Sequence, residues 1–375
     1  MRQRRRETVL NPPAGIRYIT EASVDAMSPD YEISKGSGRD GWLKSVAKSS
    51  FSFLELPNLR YLSPKILKNV DVVHTPGYLL VNHKPYVVEV DNPACLARYD
   101  MEIFLKRKKL ITRFLSSRYC KKIICISEAA KKSMAVYFPK SVVDKCQVVY
   151  PYVKINPVKK TENLDKLVLL CVNTKFYMKA TGAVLEAFEV LNKNHQNLEL
   201  WVVSNTPDEY IQKYQSVNNI KFFPAKFNKQ ELYEKFYSQC DIFIQPSLQD
   251  SFGLVYLEVA ASGKPIVTTD LYAIPEIVQD GKNGFLIKSP LYMYNSDYSL
   301  KPEYFPIRSK DTEKDFYKNV NTTAMVPELV EKLGRLISDQ SLRQRMGQAS
   351  LDIIQNNFSE KQRQEQLLAI YQAAL

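Results

Sequence analysis

Two carboxylates, Asp250 and Glu258, stand eight residues apart in the run CDIFIQPSLQDSFGLVYLEVAASGKPIVTTDLYAIPEIVQDGKNGFLI, Cys240 to Ile287. Asp250 falls in a loop just ahead of a helix, and Glu258 about one turn inside it. Helical side chains lean toward the N-terminus, so Glu258 points back toward the end where Asp250 stands. The first amides of the helix and the positive end of its dipole gather at the same place, which suits an anion such as a diphosphate. A carboxylate beside a diphosphate can accept from both hydroxyls of a ribose or a sugar diol. A loop aspartate that caps its own helix and a solvated helix glutamate account for the same two acids without any chemistry.

The elements that must position these acids are legible around them. Ile242 to Ile244 is a β-rich apolar run ended by Pro246 and Ser247. After Phe252 and Gly253, Leu254, Leu257 and Ala261 recur at helical spacing, and Gly263 closes that helix before the buried run Ile266 and Val267.

The whole stretch resembles the nucleotide-sugar signature of family-four glycosyltransferases of the two-Rossmann (GT-B) architecture. The matching residues are Pro246-Ser247, Asp250, Phe252-Gly253-Leu254, Glu258, Gly263 to Val267, Ile274 to Val278 and Asp280 to Gly284. The resemblance implies transfer of a sugar from a nucleoside diphosphate donor, with retention and without a metal or other cofactor. Uridine and guanosine diphosphate sugars are the first candidates. Asp250 would hold donor-sugar hydroxyls and Glu258 the ribose, with Ser251, Phe252, Gly253 and Leu254 around the phosphates. The family places a phosphate-binding lysine before a Glu-Ala-Phe run, a position held here by Lys179 ahead of Glu186. An arginine is usual five residues earlier; Thr174 stands there, with Asn173 and Lys175 beside it, and Lys175 can act only as a point charge.

In the N-terminal half, the run Pro85 to Asn92 resembles a strand where relatives carry a histidine, and Asp91 occupies that position. The resemblance makes Asp91 a sugar or acceptor contact. Glu89 and Asp91 share one face of a strand end, so a metal pair is the rival reading, and no metal is the expectation. His74, ending the strand Asp71 to His74, and Gly38, in the loop Gly36 to Gly41, are the acceptor-side candidates. His74 reads equally well as a satisfied structural histidine.

At 375 residues the chain exceeds what one core usually supports. Alternating strands and helices, beginning with a strand at Ile16 to Ile19, argue for an α/β fold of two doubly wound parallel-sheet domains facing a central cleft. The expected boundaries are 1–155 for an acceptor-side domain and 156–358 for a nucleotide-sugar domain. An irregular, tyrosine-rich stretch is expected at 291–319, as a surface insertion or as a mobile flap beside the substrate cleft, and a final helix at 359–375 returning to the first domain, as the resemblance implies. Six cysteines without a C-x-x-C pair, in apolar strand-like runs, read as buried reduced thiols of a cytoplasmic protein. The basic start Met1 to Arg6 lacks a following apolar core, so it does not read as a signal peptide. No apolar run approaches ~18 residues, so no membrane span is expected.

The net charge of +12 favours an anionic partner. A helix expected over Asp100 to Lys122 carries Lys106, Arg107, Lys108, Lys109, Arg113, Arg118, Lys121 and Lys122. It reads as a Rossmann helix with a solvated basic face, or as a dock for the anionic inner face of a membrane, which would suit a lipid-linked acceptor. No aromatic-basic RNA motif or helix-turn-helix pattern supports a nucleic-acid partner. The expectation is therefore a hexosyltransferase-type enzyme acting on a glycan or lipid-linked acceptor. A catalytically silent nucleotide-sugar-binding relative is the alternative, because Asp91 and Thr174 depart from the family pattern, and a basic nucleic-acid-binding protein comes third.

Overall fold

The computed structural model describes residues 6–10, 18–22, 55–68, 70–154, 166–217, 219–301 and 310–375. The chain divides into two units. Unit 1 is Met1–Pro151, Tyr294–Pro306 and Lys361–Leu375, and unit 2 is Tyr152–Met293 and Ile307–Glu360. The loop containing Gly38, the stretch Trp42 to Ser50 and the linker from 155 onward lie outside the described residues.

Unit 1 is built on β1 (Arg6–Leu10), β2 (Tyr18–Ala22), β3 (Val72–Pro76), β4 (Tyr86–Val90), β5 (Cys120–Cys125) and β6 (Cys146–Val148). These pair in sequence order. The first pair is antiparallel and the rest parallel. The first expected strand begins two residues later, at Tyr18, and β1 was not anticipated. Its signal was present in Thr8 and Val9 ahead of Asn11-Pro12-Pro13, a β-branched pair followed by breakers.

Strand alternation sorts the core into two layers. Val73, Tyr86, Val88, Ile123 and Cys125 are buried with Phe104, Ile111 and Leu115 of α1 (Met101–Ser116) and Met134 of α2 (Glu128–Tyr137). Their neighbours Val72, Val87 and Ile124 form the other layer with Leu367, Ile370 and Tyr371 of the C-terminal helix Glu360–Ala373. Helix α1 is shorter than expected. It ends at Ser116, and Cys120 opens a strand, so Lys121 and Lys122 belong to β5 rather than to the basic helix face.

Unit 2 is a second six-stranded sheet. Its strands are β7 (Leu167–Val172), β8 (Leu198–Val203), β9 (Ile220–Phe223), β10 (Ile242–Gln245), β11 (Ile266–Thr269) and β12 (Gly284–Ile287). All pairs are parallel. The order is β9-β8-β7-β10-β11-β12. Strands β7, β8, β10 and β11 are buried at every position, as a sheet covered on both faces requires. The order runs outward in both directions from the β7–β10 pair. Chain leaving β7 turns one way and chain leaving β10 the other, which opens a crevice at their C-terminal ends.

The stretch 291–319 departs from the expected irregular surface insertion. Leu291, Met293, Leu300 and Tyr317 are buried. Tyr294 and Leu300 form an antiparallel bridge, and Leu300 joins the core of unit 1. There the Ser133 hydroxyl donates to the Tyr298 carbonyl at 2.9 Å, and the Leu300 amide donates to the Tyr137 hydroxyl at 2.8 Å. Lys310–Lys318 is helical. Tyrosine hides this in sequence, since its ring packs like an apolar residue while its hydroxyl reads as surface.

Candidate functional site

The crevice between β7 and β10 brings together residues 71 positions apart in the chain. After β7, the loop Asn173 to Ala180 leads into α3 (Thr181–Asn192). After β10, the loop Pro246 to Gly253 leads into α4 (Leu254–Ala260). The Leu248 amide donates to the Met178 carbonyl at 2.8 Å and ties the two loops. Beside that tie, Lys179 Nζ lies 2.7 Å from Asp250 Oδ2 and donates to the Gln249 carbonyl at 2.9 Å. Both charged side chains are mostly buried, at 14% and 17% exposure, so their attraction is screened far less than that of a surface pair.

Each partner is held from behind. The Lys179 amide donates to the Lys175 carbonyl and the Thr181 amide to the Phe176 carbonyl, winding the loop into a turn. Ala180 closes it at φ 43°, a conformation an alanine adopts only where its surroundings enforce it. On the other side, the Tyr256 hydroxyl lies 2.8 Å from Ser247 Oγ and donates to the Gln245 carbonyl at 3.0 Å. Ser247 Oγ reaches Asp250 Oδ2 at 3.5 Å, and Thr269 Oγ1 donates to the Ser247 carbonyl at 2.7 Å. Burial, and then the Asp250 charge, push the Tyr256 hydroxyl well above the ordinary tyrosine range, so it stays a neutral donor.

Gly253 makes this arrangement possible. It caps α4 at φ 85°, and a Cβ there would fall 2.3 Å from Tyr256 Cδ2. Phe252 is buried, and Ser251 and Leu254 are partly buried. The leading amides of α4 have no intrahelical acceptor, as at any helix start.

Glu258 has partners of its own. Its Oε2 accepts from Tyr237 at 3.1 Å and its Oε1 lies 3.3 Å from Lys229 Nζ. Lys229–Leu232 is a short α-turn, followed by a π-turn over Tyr233–Tyr237. Such turns are frequent at functional sites. Tyr237 is wholly buried, and burial followed by the Glu258 charge raises its hydroxyl far above the usual range.

The other donor-side candidates divide. Thr174 and Lys175 are exposed at the loop's start, and the Thr174 carbonyl accepts from Asn205 at 2.9 Å. Asn173 is buried, and its amide group is committed to the protein. It donates to Thr181 Oγ1 at 3.0 Å and accepts from Ser204 Oγ at 2.8 Å, holding the ends of β7 and β8 to α3. Nearby, burial lifts the Cys171 thiol to about 12, which leaves it inert. The closing part of the signature is scaffold. Asn283 accepts from the Gln279 amide and donates to the Ile277 carbonyl, and Asp280 accepts from the Leu286 amide.

In unit 1, Asp91 Oδ2 accepts from the Tyr99 hydroxyl at 2.9 Å. Glu89 does not pair with it. Its Oε2 lies 2.7 Å from Arg363 Nη2 and 3.3 Å from His74 Nε2. His74 Nδ1 lies 2.7 Å from the Tyr371 hydroxyl. His74 thereby links β3 to the C-terminal helix. Burial would raise Glu89, but Arg363 and His74 outweigh it and hold the carboxyl at about 2, against an ordinary 4.5.

Sequence reasoning missed Ser247, Gln249, Tyr256 and Tyr237 as supports of the two acids. Tyr256 and Tyr237 left a signal, because a hydroxyl on a buried helical face must find a partner. The bond from Lys179 to Gln249 goes to a carbonyl and leaves no trace in side-chain identity.

Residues 153–294 match the family described as Glycosyl transferases group 1. The chain is 22% identical over 219 residues to Spore coat protein SA of Bacillus subtilis (strain 168), covering 55% of this chain and 49% of that protein. It is 22% identical over 206 residues to the capsular polysaccharide biosynthesis glycosyltransferase CapM of Staphylococcus aureus, covering 52% and 43%. The matches thus span about half the length of these relatives. Among solved structures, Anabaena Alr3699/HepE, in complex with UDP and glucose, superposes with a TM-score of 0.58 at 14% identity, covering 90% of this chain and 83% of that one. The fold is that of GT-B glycosyltransferases. The stretch matched by that family, residues 153–294, contains the Lys179–Asp250 pair and Glu258.

Proposed function

We propose that the chain is a hexosyltransferase that moves a sugar from a nucleoside diphosphate donor to a hydroxyl of a glycan or lipid-linked acceptor, with retention and without a metal. The observation that carries this reading is the Lys179–Asp250 pair at the point where the strand order of unit 2 diverges. An ammonium has three donors, and Gln249 and Asp250 use two of them here. The third is directed to the diphosphate. As the donor's glycosidic C–O bond breaks and the acceptor C–O bond forms, negative charge collects on the departing phosphate and the acceptor proton leaves with it. Lys179 and the leading α4 amides meet that charge in a fixed, partly dry setting, where such stabilisation is worth most. Asp250 accepts from donor-sugar hydroxyls, and Glu258 accepts from the ribose.

HepE was solved with UDP and glucose, which favours a uridine nucleotide as the first to test. Acceptor recognition is assigned to unit 1, with Asp91 as a contact. Membrane association is the second reading, on one observation: α1 exposes Leu105, Lys106, Lys108, Lys109 and Arg113 together. No helix among the described residues is long and apolar enough to cross a membrane. We place the activity in the cytoplasm, at the inner membrane face where the acceptor is lipid-linked.

The test is a thermal-shift panel of uridine, guanosine and adenosine diphosphate sugars, followed by a transfer assay with the stabilising one. A selective donor at 100 times its dissociation constant adds ~2.7 kcal/mol. Stabilisation without transfer or hydrolysis would favour the silent relative. No stabilisation by any of them would overturn the proposal.

A further inference from the structure

The stretch 291–319 has no role in the signature, yet its helix reaches both loops of the candidate site. On one side of α5 (Lys310–Lys318), the buried Tyr317 hydroxyl donates to Gln249 Oε1 and lies 3.7 Å from Met293 Sδ. Gln249 is the residue whose carbonyl receives Lys179, and it directly precedes Asp250. On the other side, Lys318 Nζ lies 3.3 Å from Glu209 Oε1, which accepts from the Tyr177 hydroxyl at 2.7 Å. The ammonium groups of Lys314 and Lys318 sit 5.9 and 5.7 Å from the Tyr177 ring centre. Tyr177 is two residues from Lys179. One helix therefore holds the loop that carries Lys179 and the loop that carries Asp250.

The two grips differ in strength. Lys318, Glu209 and the Tyr177 hydroxyl are largely solvated, and exposed pairs contribute little. Tyr317 is 2% exposed, so losing its hydrogen bond leaves the Gln249 amide oxygen without that partner in a mostly dry place.

We infer that α5 is a brace for the donor site and that Tyr317 is a positioning residue, acting on Asp250 and Lys179 through Gln249. In its catalytic consequence this rests on the proposed glycosyl transfer; in its structural consequence it does not. The experiment uses the full chain and the variants Tyr317→Phe, Gln249→Ala and their double. Hydrogen exchange without ligand is followed in peptides covering 173–180 and 246–252, and transfer is followed with uridine diphosphate glucose or whichever donor the panel selects.

The brace predicts faster exchange in 246–252 in each single variant, and no further acceleration in the double. It also predicts about a tenfold fall in kcat with donor KM within about twofold, since a misplaced reacting group costs turnover first. The double variant falls no further than the singles, because both substitutions cut one link. Unchanged exchange in both peptides, or losses in the double that multiply, overturns the brace. A wild-type chain that binds no nucleotide sugar overturns the transfer reading, while the exchange data still decide on the brace.

Discussion

Replacing Gly253 with alanine tests how the Asp250 loop is held. Two costs follow from the geometry. At φ 85° an alanine pays the left-handed penalty, about 1–2 kcal/mol. Its Cβ also falls 2.3 Å from Tyr256 Cδ2 and 2.4 Å from Cε2. The Tyr256 ring is fully buried, and its hydroxyl is anchored at Ser247 and Gln245, so it cannot swing aside cheaply. Overpacking of this kind costs about 1–3 kcal/mol. The sum is about 2–5 kcal/mol, or roughly 4–20 °C on the transition of a domain this size.

Gly281 supplies the control. It has φ 73° with nothing within 4 Å of a built Cβ, so Gly281→Ala pays the first cost only. Differential scanning calorimetry and initial rates on both variants separate the two. Gly253→Ala should melt lower than Gly281→Ala and lose transfer, because displacing the Tyr256 hydroxyl frees Ser247 and, with it, Asp250. Equal melting temperatures and equal rates in the two variants would refute the reasoning.

Four further outcomes follow. Glu258→Ala should weaken nucleoside diphosphate binding roughly 10- to 100-fold by calorimetry, the loss of one charged hydrogen-bonding group. Asp250→Ala should lower turnover more than nucleotide affinity, and the reverse pattern would exchange the two roles. Glu89 has a folded pKa of about 2 against an ordinary 4.5, so its contribution is present above pH 4.5 and is lost as pH falls toward 2. It amounts to about 3 kcal/mol, and Glu89→Gln should remove that slope from acid denaturation curves of unit 1. Charge reversal at Lys106, Lys109 and Arg113 should abolish flotation with anionic liposomes, at about 1 kcal/mol for each residue near the surface; unchanged flotation would remove the membrane reading.

Much of unit 2 was legible because parallel strands buried on both faces read as continuous apolar runs. Leu167–Val172 and Leu198–Val203 have the bounds their composition predicts. The motif residues Asp250, Glu258 and Lys179 were legible for a different reason, since their spacing is tied to one loop and one helix. What stayed hidden depends on contacts distant in sequence. The Lys179–Asp250 bond joins loops whose proximity follows from strand order, which no local pattern encodes. His74 and Glu89 found their partners Tyr371 and Arg363 on the last helix, 297 and 274 residues away. The 310–318 helix was lost among charges, since Tyr317, a buried anchor near its end, gives no period on its own.

The central claim is that Lys179 meets the charge that develops on the departing phosphate. The direct measurement is kcat and donor KM for wild type and Lys179→Ala with the nucleotide sugar that stabilises the protein. A fall in kcat of about 10²- to 10³-fold is expected, the cost of removing one preorganised charge-stabilising donor. Turnover in Lys179→Ala within a few-fold of wild type would contradict it.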